Sequence, residues 1–216
     1  MFVLAACRGT ARKEAPPSPP ASASPSKSLP KIVAFGDSLT AGFGLSESSS
    51  YPSLLQNKLT ADGFDYEVIN AGVSGDTSAG GVRRIDWALE GDVKVVILEL
   101  GANDILRGQP IPEMSKNLGA IIERCKAKGA LVLLAGMEAP TETGVDYRKD
   151  VHEAFASVAR EYNVALIPFF LQGVAAVDSL NQRDGIHPNE QGTRIVVETV
   201  YKSLRPMLES LRSGGT

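Results

Sequence analysis

Ile32-Val33-Ala34-Phe35-Gly36-Asp37-Ser38-Leu39-Thr40 is the stretch on which the fold turns. Four β-compatible residues in an unbroken apolar run suit a strand buried on both faces, and such strands belong to parallel sheets covered by helices. The run ends at Gly36, after which Asp37 and Ser38 follow at once. The chain therefore leaves a central strand and presents a hydroxyl at its carboxyl end. In open α/β sheets, ligands bind in the crevice outside those ends. Taken alone, Gly-Asp-Ser also reads as a plain turn, since all three are common turn formers. The rest of the chain decides between the two.

Outward from this strand, short β-branched runs alternate with amphipathic segments, the pattern of repeated βα units. Strands are predicted over residues 32–35, 66–70, 93–100, 130–135 and 164–169, with 93–100 the strongest and central. Tyr51, Leu54, Leu55 and Leu59 recur at helical spacing between Pro52, suited to a first turn, and Gly63, suited to a stop. Val82, Ile85 and Leu89 mark a helix over 76–89, where Trp87 is expected to pack. Met114, Leu118, Ile121, Ile122 and Cys125 mark one over 114–128, following a polar loop that holds Pro110 and Pro112. Val151, Ala154, Phe155, Val158 and Tyr162 form another stripe. Ile195, Val196, Val200, Leu204 and Leu208 form the last, after Pro188. The expected fold is α/β: a doubly wound, three-layer αβα sandwich around a five-stranded parallel sheet. Right-handed crossovers restrict the strand order without selecting one.

The chain has 216 residues, 43% hydrophobic and 22% charged, enough for one well-buried core. A net charge of -3 with no basic block argues against nucleic acid as a partner. Cys7 and Cys125 are far apart and Cys125 sits on an apolar stripe, so a buried thiol is expected there and no disulfide framework. Residues 31–209 form the expected folded domain, with a frayed tail over 210–216. No internal repeat and no bilayer-length apolar span occurs in that core. Leu4-Ala5-Ala6-Cys7 resembles a bacterial lipobox, in which the cysteine carries lipid. The residues before it are too few for a whole signal peptide, so either the start is truncated or the likeness is chance. Residues 14–28 are rich in Pro, Ser and Ala and read as a semi-rigid tether. An exported, periplasmic or membrane-anchored lipoprotein is the expectation for residues 1–30, with a cytoplasmic protein as its alternative.

The segments just after each strand isolate a short list of polar groups. They are Asp37 and Ser38, then Gly72-Val73-Ser74-Gly75-Asp76, then Gly101-Ala102-Asn103-Asp104, and finally Asp184-Gly185-Ile186-His187-Pro188. Acyl transfer needs such a set: a serine attacks a carbonyl, a histidine takes its proton, and a carboxylate fixes the histidine tautomer. Ser38, His187 and Asp184 fit those roles. The other histidine, His152, sits beside an apolar stripe on a helix, away from any strand end. The backbone N–H groups of Ser38 and Gly75 and the Asn103 amide are candidate oxyanion donors. Asn103 has a plainer alternative as a loop brace, and His187 has one as a helix-entry residue.

With these blocks in order, the chain resembles the SGNH, or GDSL, hydrolases. Within them it is most similar to the bacterial arylesterase, acyl-CoA thioesterase and lysophospholipase group. The resemblance spans residues 31–208. It implies Ser38 as nucleophile, His187 as base with Asp184 as its partner, an oxyanion hole of Ser38, Gly75 and Asn103, and strand order 2-1-3-4-5. Ala102 stands where many relatives have a second glycine. The Gly-x-Ser-x-Gly elbow of α/β-hydrolases is absent. The implied function is hydrolysis of aryl, short- to medium-chain or lipid-like acyl esters without cofactor or metal. Three alternatives remain: a carbohydrate acetyl esterase of the same fold, a Mg²⁺-dependent phosphoryl-transfer enzyme using Asp37, Asp104 and Asp184, and a tethered binding module without catalysis. The loops at Leu45-Ser46-Glu47, 107–112 and 138–145 are expected to wall the pocket.

Overall fold

A computed structural model describes residues 28–214, so Cys7 and most of the proposed tether lie outside the described residues. β1 (Lys31–Gly36) lies between β2 (Glu67–Gly72) and β3 (Val93–Glu99). β4 (Leu131–Ala135) and β5 (Ala165–Ile167) extend the sheet beyond β3. The order is β2-β1-β3-β4-β5 with every pairing parallel, as the resemblance implied. The β1 run is buried because helices cover both of its faces. Ile32, Val33, Ala34 and Phe35 are each at most 1% exposed, which is why the sequence there is continuously apolar.

Among the described residues seven α-helices connect and follow the strands: α1 (Ser38–Ala41), α2 (Tyr51–Ala61), α3 (Ser78–Ala88), α4 (Ala102–Leu106), α5 (Ile111–Ala127), α6 (Val145–Glu161) and α7 (Glu190–Ser213). α3, α5 and α6 pack side by side, while α2 packs against α7. Leu55 and Leu59 of α2, Ile121 and Ile122 of α5, and Val200 and Leu204 of α7 are fully buried, so the periodic stripes do face the sheet. Cys125 is a buried, free thiol, and burial pushes it up to about 12. Among the described residues no helix is long and apolar enough to cross a membrane.

Register positions the site. Gly36 pairs with Gly72 on one side and Glu99 on the other. The chain segments leaving β1, β2 and β3 therefore start level with one another. The chain winds from β1 outward to β2, then returns across β1 to β3, which opens a crevice at this switch point.

Several expectations are corrected. Trp87 is 65% exposed; two residues after buried Ile85, it points to the opposite side of α3 and does not pack. β5 has only three residues, because Pro168 cannot donate to the ladder. The region expected as one loop before α5 contains α4, and Pro112 lies in the first turn of α5, where its missing N–H costs nothing. The end of α7 is not frayed from Glu209. The helix continues to Ser213, with Arg212 donating to the Gly63 carbonyl and lying over the Phe64 ring. Ile195 is 36% exposed, and Val197 and Tyr201 are buried in the α7 face instead.

Candidate active site

Asp37 follows β1 and caps α1, its carboxylate accepting the Leu39 N–H, so Ser38 is the first residue of a helix. The backbone N–H of such a residue is among those a helix leaves unpaired. The Ser38 hydroxyl lies 2.8 Å from His187 Nε2. His187 Nδ1 lies 2.8 Å from Asp184 Oδ2, and Asp184 Oδ1 accepts the N–H groups of Ile186 and His187. Partial burial works against the Asp184 charge, but these hydrogen bonds prevail and hold its carboxyl below the usual range. An ionised carboxylate only accepts, so the ring proton belongs on Nδ1 and Nε2 is free to accept from Ser38. Phe43 lies against the imidazole with ring centroids 4.8 Å apart.

The other side of the serine is built from two loops. Gly75 sits at φ +80° in the turn after β2, a conformation that excludes most side chains. Its carbonyl accepts from Arg107 at 2.8 Å. Asn103, in the first turn of α4, donates one Nδ2 proton to Asp37 Oδ2 at 2.9 Å and keeps the other. The two loops are tied together: Asp104 accepts from the Ser78 N–H at 2.8 Å and the Ser78 hydroxyl at 2.6 Å. Arg84 donates to Asp76, to the Ala71 carbonyl and to the Gly36 carbonyl, joining the ends of β1 and β2 to the Gly75 loop.

Ser38, Gly75, Asn103 and His187 thus open on one crevice, although they are spread over 150 residues of chain. A nucleophile, a base with its orienting carboxylate, and donors on the far side are the parts that acyl transfer uses. A family model described as the GDSL-like lipase/acylhydrolase family matches residues 34–195. The chain belongs to that family. Esterase TesA of Pseudomonas aeruginosa is 40% identical over 178 residues, which cover 82% of this chain and 89% of that protein. Thioesterase 1/protease 1/lysophospholipase L1 of Escherichia coli K12 is 34% identical, covering 82% of this chain and 84% of that protein. A solved structure of the psychrotrophic esterase EstA from Pseudoalteromonas sp., inhibited by monoethylphosphonate, matches with a TM-score of 0.78 at 35% identity. It covers 83% of this chain and 98% of that one.

In this GDSL acylhydrolase the crevice is a cavity of about 640 Å³, within the range of small-molecule sites. Leu106, Met137, Phe169 and Leu171 give it an apolar wall. Residues 138–142 line it as expected, whereas 107–112 do not, because the α4 turn carries Arg107 toward Gly75 instead. Residues 170–181, to which the sequence assigned no element, also contribute to the lining through Leu171, Ala175, Ala176 and Asn181. His152 is exposed on α6, away from the cavity. The three aspartates considered for Mg²⁺ are committed elsewhere: Asp37 to Asn103, Asp104 to Ser78, Asp184 to His187. Among the described residues no group of three His, Cys, Asp or Glu side chains is placed to hold a metal.

Proposed function

We propose that this acylhydrolase cleaves small acyl esters with Ser38 as nucleophile, His187 as general base and Asp184 as its orienting partner. The Ser38 and Gly75 N–H groups and the Asn103 amide serve as the oxyanion hole. The observation that carries this reading is the unbroken line from Ser38 Oγ through the imidazole to Asp184. The serine proton moves to Nε2 as Oγ bonds to the carbonyl carbon, and the charge appearing on the carbonyl oxygen meets the donors. His187 then returns the proton to the departing alcohol or thiol, leaving an acyl-serine. Water, deprotonated by the same nitrogen, releases the acid and restores Ser38.

The apolar wall and the cavity size support aryl esters and short- to medium-chain acyl esters, with thioesters and lysophospholipids as further candidates. A panel of nitrophenyl esters of rising chain length, run beside acyl-CoA and lysophospholipid, locates the optimum. Ser38→Ala should abolish hydrolysis and labelling by a fluorophosphonate while leaving thermal unfolding unchanged. Labelling that survives the substitution would move the nucleophile elsewhere.

Export with lipid on Cys7 is the reading that the Leu4-Ala5-Ala6-Cys7 stretch and the Pro/Ser-rich segment support. β1 begins at Lys31 and the crevice lies at its other end, so a tether would enter the domain away from the substrate opening. Full-length protein should fractionate with membranes and Cys7→Ser should not. Equal partitioning of the two removes the anchor.

A further inference from the structure

Two carboxyl groups that take no part in these steps are buried beneath the nucleophile. Glu99, the last residue of β3, is fully buried; its Oε2 accepts from the Asp37 N–H at 3.2 Å and the Thr40 hydroxyl at 2.7 Å, while Oε1 has no partner. Asp37 is 1% exposed, with Oδ1 taking the Leu39 N–H at 3.0 Å and Oδ2 the Asn103 amide at 2.9 Å.

Two carboxylates this close and this dry do not both ionise. Their partners separate them. Each Asp37 oxygen faces an N–H donor, which favours the charged form, whereas one Glu99 oxygen faces none. The proton therefore rests on Glu99 and the charge on Asp37. Burial, reinforced by the Asp37 charge, pushes Glu99 well above the usual carboxyl range. Burial also raises Asp37, to about 6, with the Leu39 N–H, the Asn103 amide and His187 pulling the other way.

An ionised Asp37 can only accept, so the Asn103 atom facing it is the nitrogen, and the amide plane is set. The terminal torsion of an asparagine is otherwise broad and does not hold one angle. We infer that Asp37 is a positioning residue for the oxyanion hole: its carboxylate holds one Asn103 Nδ2 proton and thereby aims the other at the substrate carbonyl oxygen. Glu99 and Thr40, by anchoring the Asp37 main chain, keep that carboxylate in register with α4. The inference rests on the reading of Asn103 as an oxyanion donor.

A double-mutant cycle on a short nitrophenyl ester tests it, using wild type, Asp37→Asn, Asn103→Ala and the double variant. Thermal unfolding confirms that each is folded. Asp37→Asn keeps the shape but removes the obligatory acceptor, so kcat should fall about tenfold or more with KM changed less than about twofold. In the Asn103→Ala background the same substitution should cost less than about twofold, because no amide remains to be aimed. A merely structural aspartate would cost the same factor in both backgrounds, and that result overturns the inference. So does an Asp37→Asn enzyme with kcat within twofold of wild type. If Asp37→Asn does not fold, Asp37→Ser carries the same cycle, since serine still caps the Leu39 N–H but does not reach Asn103. Unaltered kcat in Asn103→Ala is a separate result, which removes the donor reading itself and the inference with it.

Discussion

In the proposed mechanism His187 acts as a base only while its proton is held on Nδ1, and Asp184 would hold it there from a loop that is otherwise open to solvent. Asp184→Asn would keep the acceptor that Oδ1 offers to the Ile186 and His187 N–H groups, so the loop should retain its shape. The amide nitrogen would then face Nδ1 and favour the tautomer with the proton on Nε2, where it blocks transfer from Ser38. kcat should fall on the order of 10²–10⁴-fold with little change in melting temperature; a loss below about tenfold would mean that the imidazole is oriented by other groups, such as Phe43. That Ser38, Asp184 and His187 meet was legible in the sequence, because each follows a strand or precedes a helix and their chemistry is complementary. Arg84, Arg107, Thr40 and Glu99 were not. Their partners lie far away in sequence or on backbone carbonyls, and only the register of β1 against β2 and β3 brings them together.

At the level of elements, the site depends on how closely α1 passes over the end of β2. A Cβ built on Gly72 would sit 2.2 Å from the Ala41 nitrogen and 2.7 Å from the Thr40 carbonyl carbon, both backbone atoms that cannot swing aside. Gly72→Ala must therefore displace α1 and Ser38 with it, away from His187 on a different loop. Misplacement by about 1 Å can cost about 10² in rate, so kcat should drop by that order, and fluorophosphonate labelling should slow in parallel. A Gly72→Ala enzyme with wild-type kcat would show that α1 can move without carrying the serine. The sequence marked Gly72 only as part of a motif, since a close approach between a strand end and a helix that precedes it by some thirty residues leaves no periodic trace. Periodicity did find all five strands and the long helices, where burial on one or both faces imposes it. It misjudged Trp87, where a large apolar residue on the solvent side of α3 mimics a core position. It also missed the end of α7, where Leu211 packs against the core and Arg212 on Gly63 and Phe64 secures the last turn.

For the molecule as a whole, the buried carboxyl pair ties stability to pH in a direction opposite to that of an ordinary paired carboxylate. Both Glu99 and Asp37 titrate higher in the folded chain than their ordinary values of 4.5 and 3.8. Across that interval the folded state holds protons that the unfolded chain has released, so stability is greatest below the unfolded values and declines as pH rises through the folded ones. For Asp37 the decline falls between about 4 and about 6; for Glu99 it continues higher, in the direction burial dictates. Asp184, held low, acts in the opposite sense, its contribution present above its ordinary value of 3.8 and lost on acidification, but it is exposed and screened. Glu99→Gln separates the terms. Glutamine keeps an oxygen for the Asp37 N–H and the Thr40 hydroxyl and cannot ionise, so it removes the cost of withholding a proton from solvent at high pH. It also places an NH₂ where Oε1 has no partner, a penalty that does not vary with pH. The informative quantity is therefore the difference in melting temperature between variant and wild type as a function of pH. That difference should shift in favour of the variant as pH rises from about 5 to about 8. A difference that stays constant across the range would mean that Glu99 titrates alike in the folded and unfolded chain, and would return the shared charge to both carboxyl groups.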